Sequence, residues 1–199
     1  MYSPRHFEEK RIEVLHGLIA QHPLGTLVTH GPGGLGADHI PFEIGAATLD
    51  APFGVLRAHV ARANPLCQHA GEAMVVFQGA SAYVSPSLYE EKPVSGKVVP
   101  TWNYAVVHAH GTLRAIDDPA WVLGLLERLT ATHETGRAAS WSVHDAPRDF
   151  IDQLLQAIVG IEMPVTRMEG KWKLSQNRST ADRARIEEET RLWAKVAGA

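Results

Sequence analysis

The stretch KVVPTWNYAVVHAHGTLR, Lys97 to Arg114, decides how the rest of the chain reads. It opens with polar and aromatic residues punctuated by Pro100, then alternates with the two-residue period of a β-strand. Tyr104, Val106, His108, His110, Thr112 and Arg114 fall on one face; Ala105, Val107, Ala109, Gly111 and Leu113 fall on the other. The second face is small and apolar and suits a core. The first carries hydrogen-bonding groups, which a buried face tolerates only when they meet partners. Two readings stand side by side. Either the polar face is one wall of a ligand site entered through the Trp102-Asn103-Tyr104 corner, or it faces water, as one side of an antiparallel sheet does.

The chain has 199 residues, 45% hydrophobic and 21% charged, the profile of a soluble globular protein of one domain. A single cysteine, Cys67, excludes an intrachain disulfide framework and argues against a cysteine-rich zinc site. A cytoplasmic location is the simplest expectation. The start, MYSPRHFEEKR, lacks the apolar core of a secretion signal, and no apolar run approaches the ~20 residues that cross a bilayer, so no membrane association is expected. Net charge is −3 with histidine neutral, which disfavours a chain-wide grip on nucleic acid. Protonating the eleven histidines would reverse that sign.

Outward from the central stretch, the periodicity predicts a helix over Phe7 to Gln21 that His22-Pro23 ends. Gly25–His30 and the LGADHIPFEI segment read as a hairpin around GPGG, with Pro41 marking an edge or a bulge. Strands follow at Phe53–Val60 and Glu72–Gly79, a short one at SAYVSPSLY, and a turn or short helix at Asn64-Pro65. After Ile116, Asp117-Asp118-Pro119 opens a helix with an apolar stripe of Trp121, Leu125, Leu126 and Leu129. A second helix near Asp145 carries Ile151, Leu154, Leu155 and Ile158 inside. Residues 161–174 return as one or two strands, and Ala181 to Ala197 form a charged helix. The pattern predicts one mainly β domain over 1–199: a small antiparallel barrel with an N-terminal helix, inserted helices at about 118–158 and a C-terminal helix.

Several chemistries fail on spacing. No GxGxxG joins a strand to a helix, GPGGLG lacks the Lys-Ser/Thr of a phosphate loop, and neither GxSxG nor HExxH occurs. Arg57, His59 and Arg62 form a candidate anion site, a strand of basic groups running into a turn; the rival reading pairs Arg57 with a surface carboxylate. His39, His59, His108 and His110 raise a metal site, but sequence shows no convergence of three or four ligands, so none is expected. Arg178, Arg183, Arg185, Arg191 and Lys195 raise DNA binding, yet Glu187, Glu188 and Glu189 interrupt them and would repel phosphate.

MYSPRHFEE, HPLGTLVT, ADHIPF, LRAHVARANP, VVFQG, YVSPSLY, the central stretch and GKWKLSQNR together resemble the PaiB-type family of FMN-binding negative transcriptional regulators. The resemblance runs in order over nearly the whole chain, with PTWNY and KLSQNR its most specific parts. It implies a split antiparallel β-barrel flanked by helices, related to pyridoxamine-phosphate oxidases and flavin reductases, and a homodimer with FMN at the subunit interface. By position, His39, Ile40 and Pro41 would sit beside the flavin ring. Arg57, Ala58, His59, Arg62 and Asn64 would lie near the ribityl phosphate. Trp102, Asn103 and Tyr104, with Lys173, Ser175, Gln176 and Asn177, would complete the pocket, some from the partner subunit.

The regulator role implied by the resemblance sits badly with the charge balance and with the lack of a helix-turn-helix pattern, so DNA or a regulatory protein are both open as partners. The alternatives are a flavin-dependent oxidoreductase using a small-molecule electron donor, and a haem- or metal-handling barrel using His59, His108 or His110. FMN would carry any electron or hydride transfer, with His39 or a backbone N–H near the ring nitrogens. No residue reads as an obligatory acid-base catalyst.

Overall fold

Residues 1–69 and 71–192 are described by a computed structural model of the chain. The N-terminal helix starts later than its apolar spacing predicts. Arg5–Phe7 form a 3-10 turn, Glu8–Glu9 a short strand β1, and helix α1 covers Ile12–Gln21. Glu9 causes the delay. Its carboxylate accepts the backbone N–H groups of Lys10 (3.0 Å) and Arg11 (2.9 Å) and is gripped by the Arg11 guanidinium, which ties the chain into a turn ahead of Ile12. Phe7 is buried all the same, but from the turn; Leu15, Leu18 and Ile19 form the helical stripe.

Strands β2 (Leu24–Gly31) and β3 (Gly34–Pro41) make the predicted hairpin, and Gly34 supplies the left-handed φ of +97° that the turn requires. β4 covers Glu43–Gly45 and β5 Val55–Ala61. Asn64 then caps a 3-10 turn, Pro65–Gln68, by accepting from the Leu66 N–H at 2.9 Å. The two strands expected between Glu72 and Tyr89 are largely one, β6 (Gly71–Val84). A 3-10 turn (Pro86–Leu88) and a one-turn helix α2 (Glu91–Val94) lead to β7, Thr101–Ile116, sixteen residues long.

Helix α3 (Pro119–Glu134) starts where the Asp-Asp-Pro signal puts it, with Asp118 accepting from the N–H groups of Ala120 and Trp121. Its fully buried positions are Val122 and Leu125, while Trp121, Leu126 and Leu129 are half-buried. Helix α4 covers Arg148–Gln156 and buries Ile151 and Leu155; Leu154 is exposed, and Ile158 already belongs to the next strand. Val122, Val143, Ile151 and Leu155 form a small apolar cluster that fastens the helices to each other. β8 is one continuous strand, Ile158–Lys173, and α5 spans Thr180–Thr190. The predicted continuation of the last helix to Ala197 lies outside the described residues beyond Leu192.

The eight strands form one mainly antiparallel sheet in the order β3-β2-β6-β7-β8-β5-β4, with β1 pairing the far end of β8. β3 and β4 end this path, so Pro41, without an N–H to donate, closes an edge strand. Along β7 the inward set is buried as its alternation requires: Asn103, Ala105, Val107, Ala109, Gly111 and Leu113. The chain divides into two compact units. One comprises Met1–Gly25, Val76–Ala109 and the residues from Met168 onward; the other comprises Thr26–Val75 and His110–Arg167. Among the described residues, no helix is long and apolar enough to cross a membrane.

Candidate functional site

In the second unit, β5 supplies the basic residues singled out by the sequence. Leu56, Ala58 and Val60 point into the core, so Arg57 and His59 share the opposite face. Ala58 is fully buried and has only its backbone to offer a ligand. Arg57 pairs with a carboxylate, as the rival reading held, but the carboxylate is the buried Glu162 of β8, directly opposite in register, with Nε to Oε2 at 2.8 Å. The second oxygen of Glu162 accepts both Nε and Nη2 of Arg114 from β7. Burial pushes the Glu162 carboxyl up, and the hydrogen bonds from Arg114 and Arg57 outweigh it, holding the group below its ordinary 4.5.

His59 lies beside this pair with its Nδ1 buried and lacking a hydrogen-bond partner among the described residues. Burial lowers its pKa from 6.5, so the imidazole is neutral at pH 7 and still able to donate or accept one bond. An orphaned buried ring nitrogen costs free energy until a polar group reaches it. Arg62 is placed differently. Its guanidinium forks onto Asp117 at 2.7 and 2.8 Å and also donates to the carbonyls of Gln156 and Ile158, which ties the end of β5 to the helical segment. That network raises the Arg62 pKa and lowers that of Asp117 through their shared hydrogen bonds.

Asn64 joins the turn after β5 to β3: besides capping Pro65–Gln68 it donates to Asp38 at 3.3 Å. A cleft of about 730 Å³ opens between this turn and the β2–β3 hairpin. Next to Asp38, His39 and Pro41 are exposed, while Ile40 is buried between them. A second cleft, about 360 Å³, is lined by His30, Glu72, His110, Thr112 and Arg167, with Arg167 Nη2 2.9 Å from His110 Nδ1.

In the first unit, PTWNY and KLSQN are pinned together. Asn103 and Ser175, both buried, exchange hydrogen bonds of 2.9 and 3.1 Å, which hold Ser175 at its left-handed φ of 62°. Lys173 donates to Thr101 Oγ1 and, at 2.8 Å, to the Trp102 carbonyl; its pKa is lowered by burial. Gln176 accepts from the Leu174 N–H at 2.8 Å and donates to the Trp172 carbonyl, and Asn177 is exposed in the same turn. Asn103, Ser175 and Gln176 thus fasten the corner from within. What they present outward is Trp102 and Tyr104, lining a cleft of about 420 Å³ with Gln78, Ser81 and Val106. Trp102 meets Tyr83 edge-on, ring centres 6.0 Å apart, and Lys171 Nζ lies 5.4 Å from the Tyr104 ring centre. Both halves of β7 therefore border concave surfaces, which favours the ligand-wall reading of its polar face.

Sequence reading missed Glu162 and the partnership it imposes on Arg114. The signal was available: Glu162 is the single charge in the apolar run Ile158–Val165, and a charge in such a run needs a cationic partner.

The arrangement is that of the flavin-binding split-barrel class. The chain aligns with the FAD- and haem-binding protein of Mycobacterium smegmatis at a TM-score of 0.62, 18% identical, covering 89% of this chain and 78% of that one. It aligns with the flavocytochrome Anf3 of Azotobacter vinelandii at 0.60, 12% identical, covering 92% and 78%. Residues 1–167 match the family model described as "Putative FMN-binding domain", and the chain belongs to that family. Among its relatives are an uncharacterized protein of Emericella nidulans, 35% identical over 219 residues (92% of this chain, 87% of that one), and the Bacillus subtilis protease synthase and sporulation protein PAI 2, 30% identical over 188 residues (92% and 85%). Its cofactor is the family's flavin, FMN. The residues present fit that group: a neutral imidazole with an unpartnered nitrogen beside two guanidinium groups suits a phosphate, and an outward-facing Trp and Tyr suit a planar ring.

Proposed function

We propose that the protein is a homodimeric flavoprotein whose FMN controls a regulatory output. His59 carries the reading: its buried, unpartnered Nδ1 lies on the same strand face as Arg57 and is completed by an anionic oxygen. Arg57 and His59 hold the phosphate, with Asn64 shaping the turn beside them. Arg62 acts one step back, keeping the end of β5 in place through Asp117. The family resemblance assigns His39, Ile40 and Pro41 to the surroundings of the ring, and Trp102 and Tyr104 as well, with some of these contacts supplied by the partner subunit. Asn103, Lys173, Ser175, Gln176 and Asn177 set the corner that presents Trp102 and Tyr104. When bound, FMN supplies one- or two-electron transfer; the chain fixes and orients it.

The regulatory output runs through the state of the flavin and a protein partner or small molecule rather than through a DNA-reading helix. A net charge of −3 and the acidic run Glu187–Glu189 on α5 support that route, and the likeness to the protein named protease synthase and sporulation protein PAI 2 supports a regulatory output of some kind. Titrating FMN into the flavin-free protein, followed by visible absorption, tests the core of the reading. Saturable binding with one FMN per chain is expected, and Arg57→Ala is expected to weaken it by about 1.5–3 kcal/mol, the range for a hydrogen bond to a charged group. No spectral change on titration would refute it. On DNA, the FMN-loaded protein is expected to show no sequence-selective retention even at low salt.

A further inference from the structure

We propose that Arg114 is a second phosphate-binding residue, held beside Arg57 by Glu162, and that Gly45 leaves the room the Arg57 guanidinium occupies. This rests on the assignment of Arg57 to the FMN phosphate.

The argument begins with charge. Across neighbouring strands, Glu43 of β4 faces Arg57 of β5, which faces Glu162 of β8; Arg114 reaches Glu162 from β7. Glu43 is itself forked by Arg128 of α3 at 2.7 and 2.9 Å. Three guanidinium groups therefore share two carboxylates, an excess of one positive charge. One arginine would neutralise the buried Glu162, whose side chain is 9% exposed; a second brings like-charge repulsion that structure alone does not require. An arriving dianion removes that repulsion, and the guanidinium N–H groups not spent on Glu162, both Nη of Arg57 and Nη1 of Arg114, remain to donate to phosphate oxygens.

Geometry agrees with the count. Arg57 commits its Nε to Glu162, leaving its Nη groups outside the ion pair, and the Arg114 side chain is 59% exposed. A Cβ on Gly45 would stand 2.6 Å from Arg57 Nη1. Gly45 has no left-handed φ, so an alanine is conformationally tolerated there, and the flexible end of Arg57 is what must move. Glu162 is a positioning residue: it touches no ligand and fixes the two arms relative to each other.

The test compares FMN with riboflavin, which lacks only the phosphate, by fluorescence titration on the full chain. Wild-type protein is expected to prefer FMN; equal or absent binding of both would overturn the assignment of Arg57 and this proposal with it, whereas a retained preference that ignores Arg114 overturns this proposal alone. Given that preference, Arg114→Gln is expected to lower FMN affinity about tenfold, the scale of one charge-assisted hydrogen bond, and to leave riboflavin affinity unchanged. Gly45→Ala is expected to lower the FMN preference about threefold by displacing the Arg57 fork, and Glu162→Gln to lower it as the arms lose alignment. An unchanged preference in Arg114→Gln overturns the proposal, as does a preference that rises in Glu162→Gln. Because Gly45→Ala and Arg114→Gln leave the buried carboxylate in place, the result does not hinge on the folding of Glu162→Gln.

Discussion

Glu162 places one negative charge in the run Ile158–Val165, between the guanidinium groups of Arg57 and Arg114. Its folded-state pKa lies below 4.5, burial raising it less than the two arginines lower it. The unfolded chain therefore binds the proton first as pH falls, and stability rises with pH through that window. The ion pair contributes fully above about pH 5 and loses its contribution as pH drops through the folded value. Melting temperatures of wild type and Glu162→Gln are thus expected to differ by about 4 °C at neutral pH, the effect of roughly 1–2 kcal/mol in a chain of this size, and to converge below pH 4.5. A gap that stays constant across that range would mean that the carboxylate's charge is not what Arg57 and Arg114 recognise.

At the scale of elements, helix α4 shows where an apolar stripe misleads. Sequence spacing groups Ile151, Leu154, Leu155 and Ile158, but the helix ends at Gln156, Ile158 starts β8, and Leu154 is 48% exposed against 5% for Leu155. Leu155→Ala is expected to cost about 2–3 kcal/mol in chemical denaturation and Leu154→Ala less than about 0.5 kcal/mol; equal costs would contradict the packing of α4 on Val122 and Val143. The same limit explains α1: Phe7 has the right spacing for a helix, yet Glu9 takes the neighbouring amides and holds the chain in a turn. Strong local signals did read through. The Gly34 turn, the Asn64 and Asp118 caps and the alternation of β7 were legible because each is set within a few residues. The geometry of the candidate site was legible only in part. Arg57 and His59 announce themselves on one strand, but the pairing of Arg57 with Glu162 joins residues 105 positions apart, and no local pattern carries that register. Arg62 illustrates the converse: its place in a basic motif says phosphate, and its fork onto Asp117 says scaffold.

For the whole molecule, the decisive property is how many chains share a flavin. Tyr83 and Trp102 are 51% and 56% exposed and packed edge to face, and Trp102 lines the cleft together with Tyr104. Large aromatic side chains left in water beside a concave surface are the composition of an interface centre, where truncating one residue costs about 2 kcal/mol or more. Nothing inside the corner depends on the Trp102 ring being apolar, since Asn103, Ser175 and Lys173 hold the backbone there through its buried side. Trp102→Glu should therefore fold with an unchanged far-UV spectrum and yet dissociate: wild type is expected to sediment as a dimer, and the variant's dimer dissociation constant to rise roughly thirtyfold or more. FMN affinity should fall in parallel if, as proposed, Trp102 walls the ring and the partner subunit supplies part of the pocket. A wild-type chain that sediments as a monomer at micromolar concentration, with FMN bound, would place the flavin within one subunit and leave Tyr83 and Trp102 to another partner.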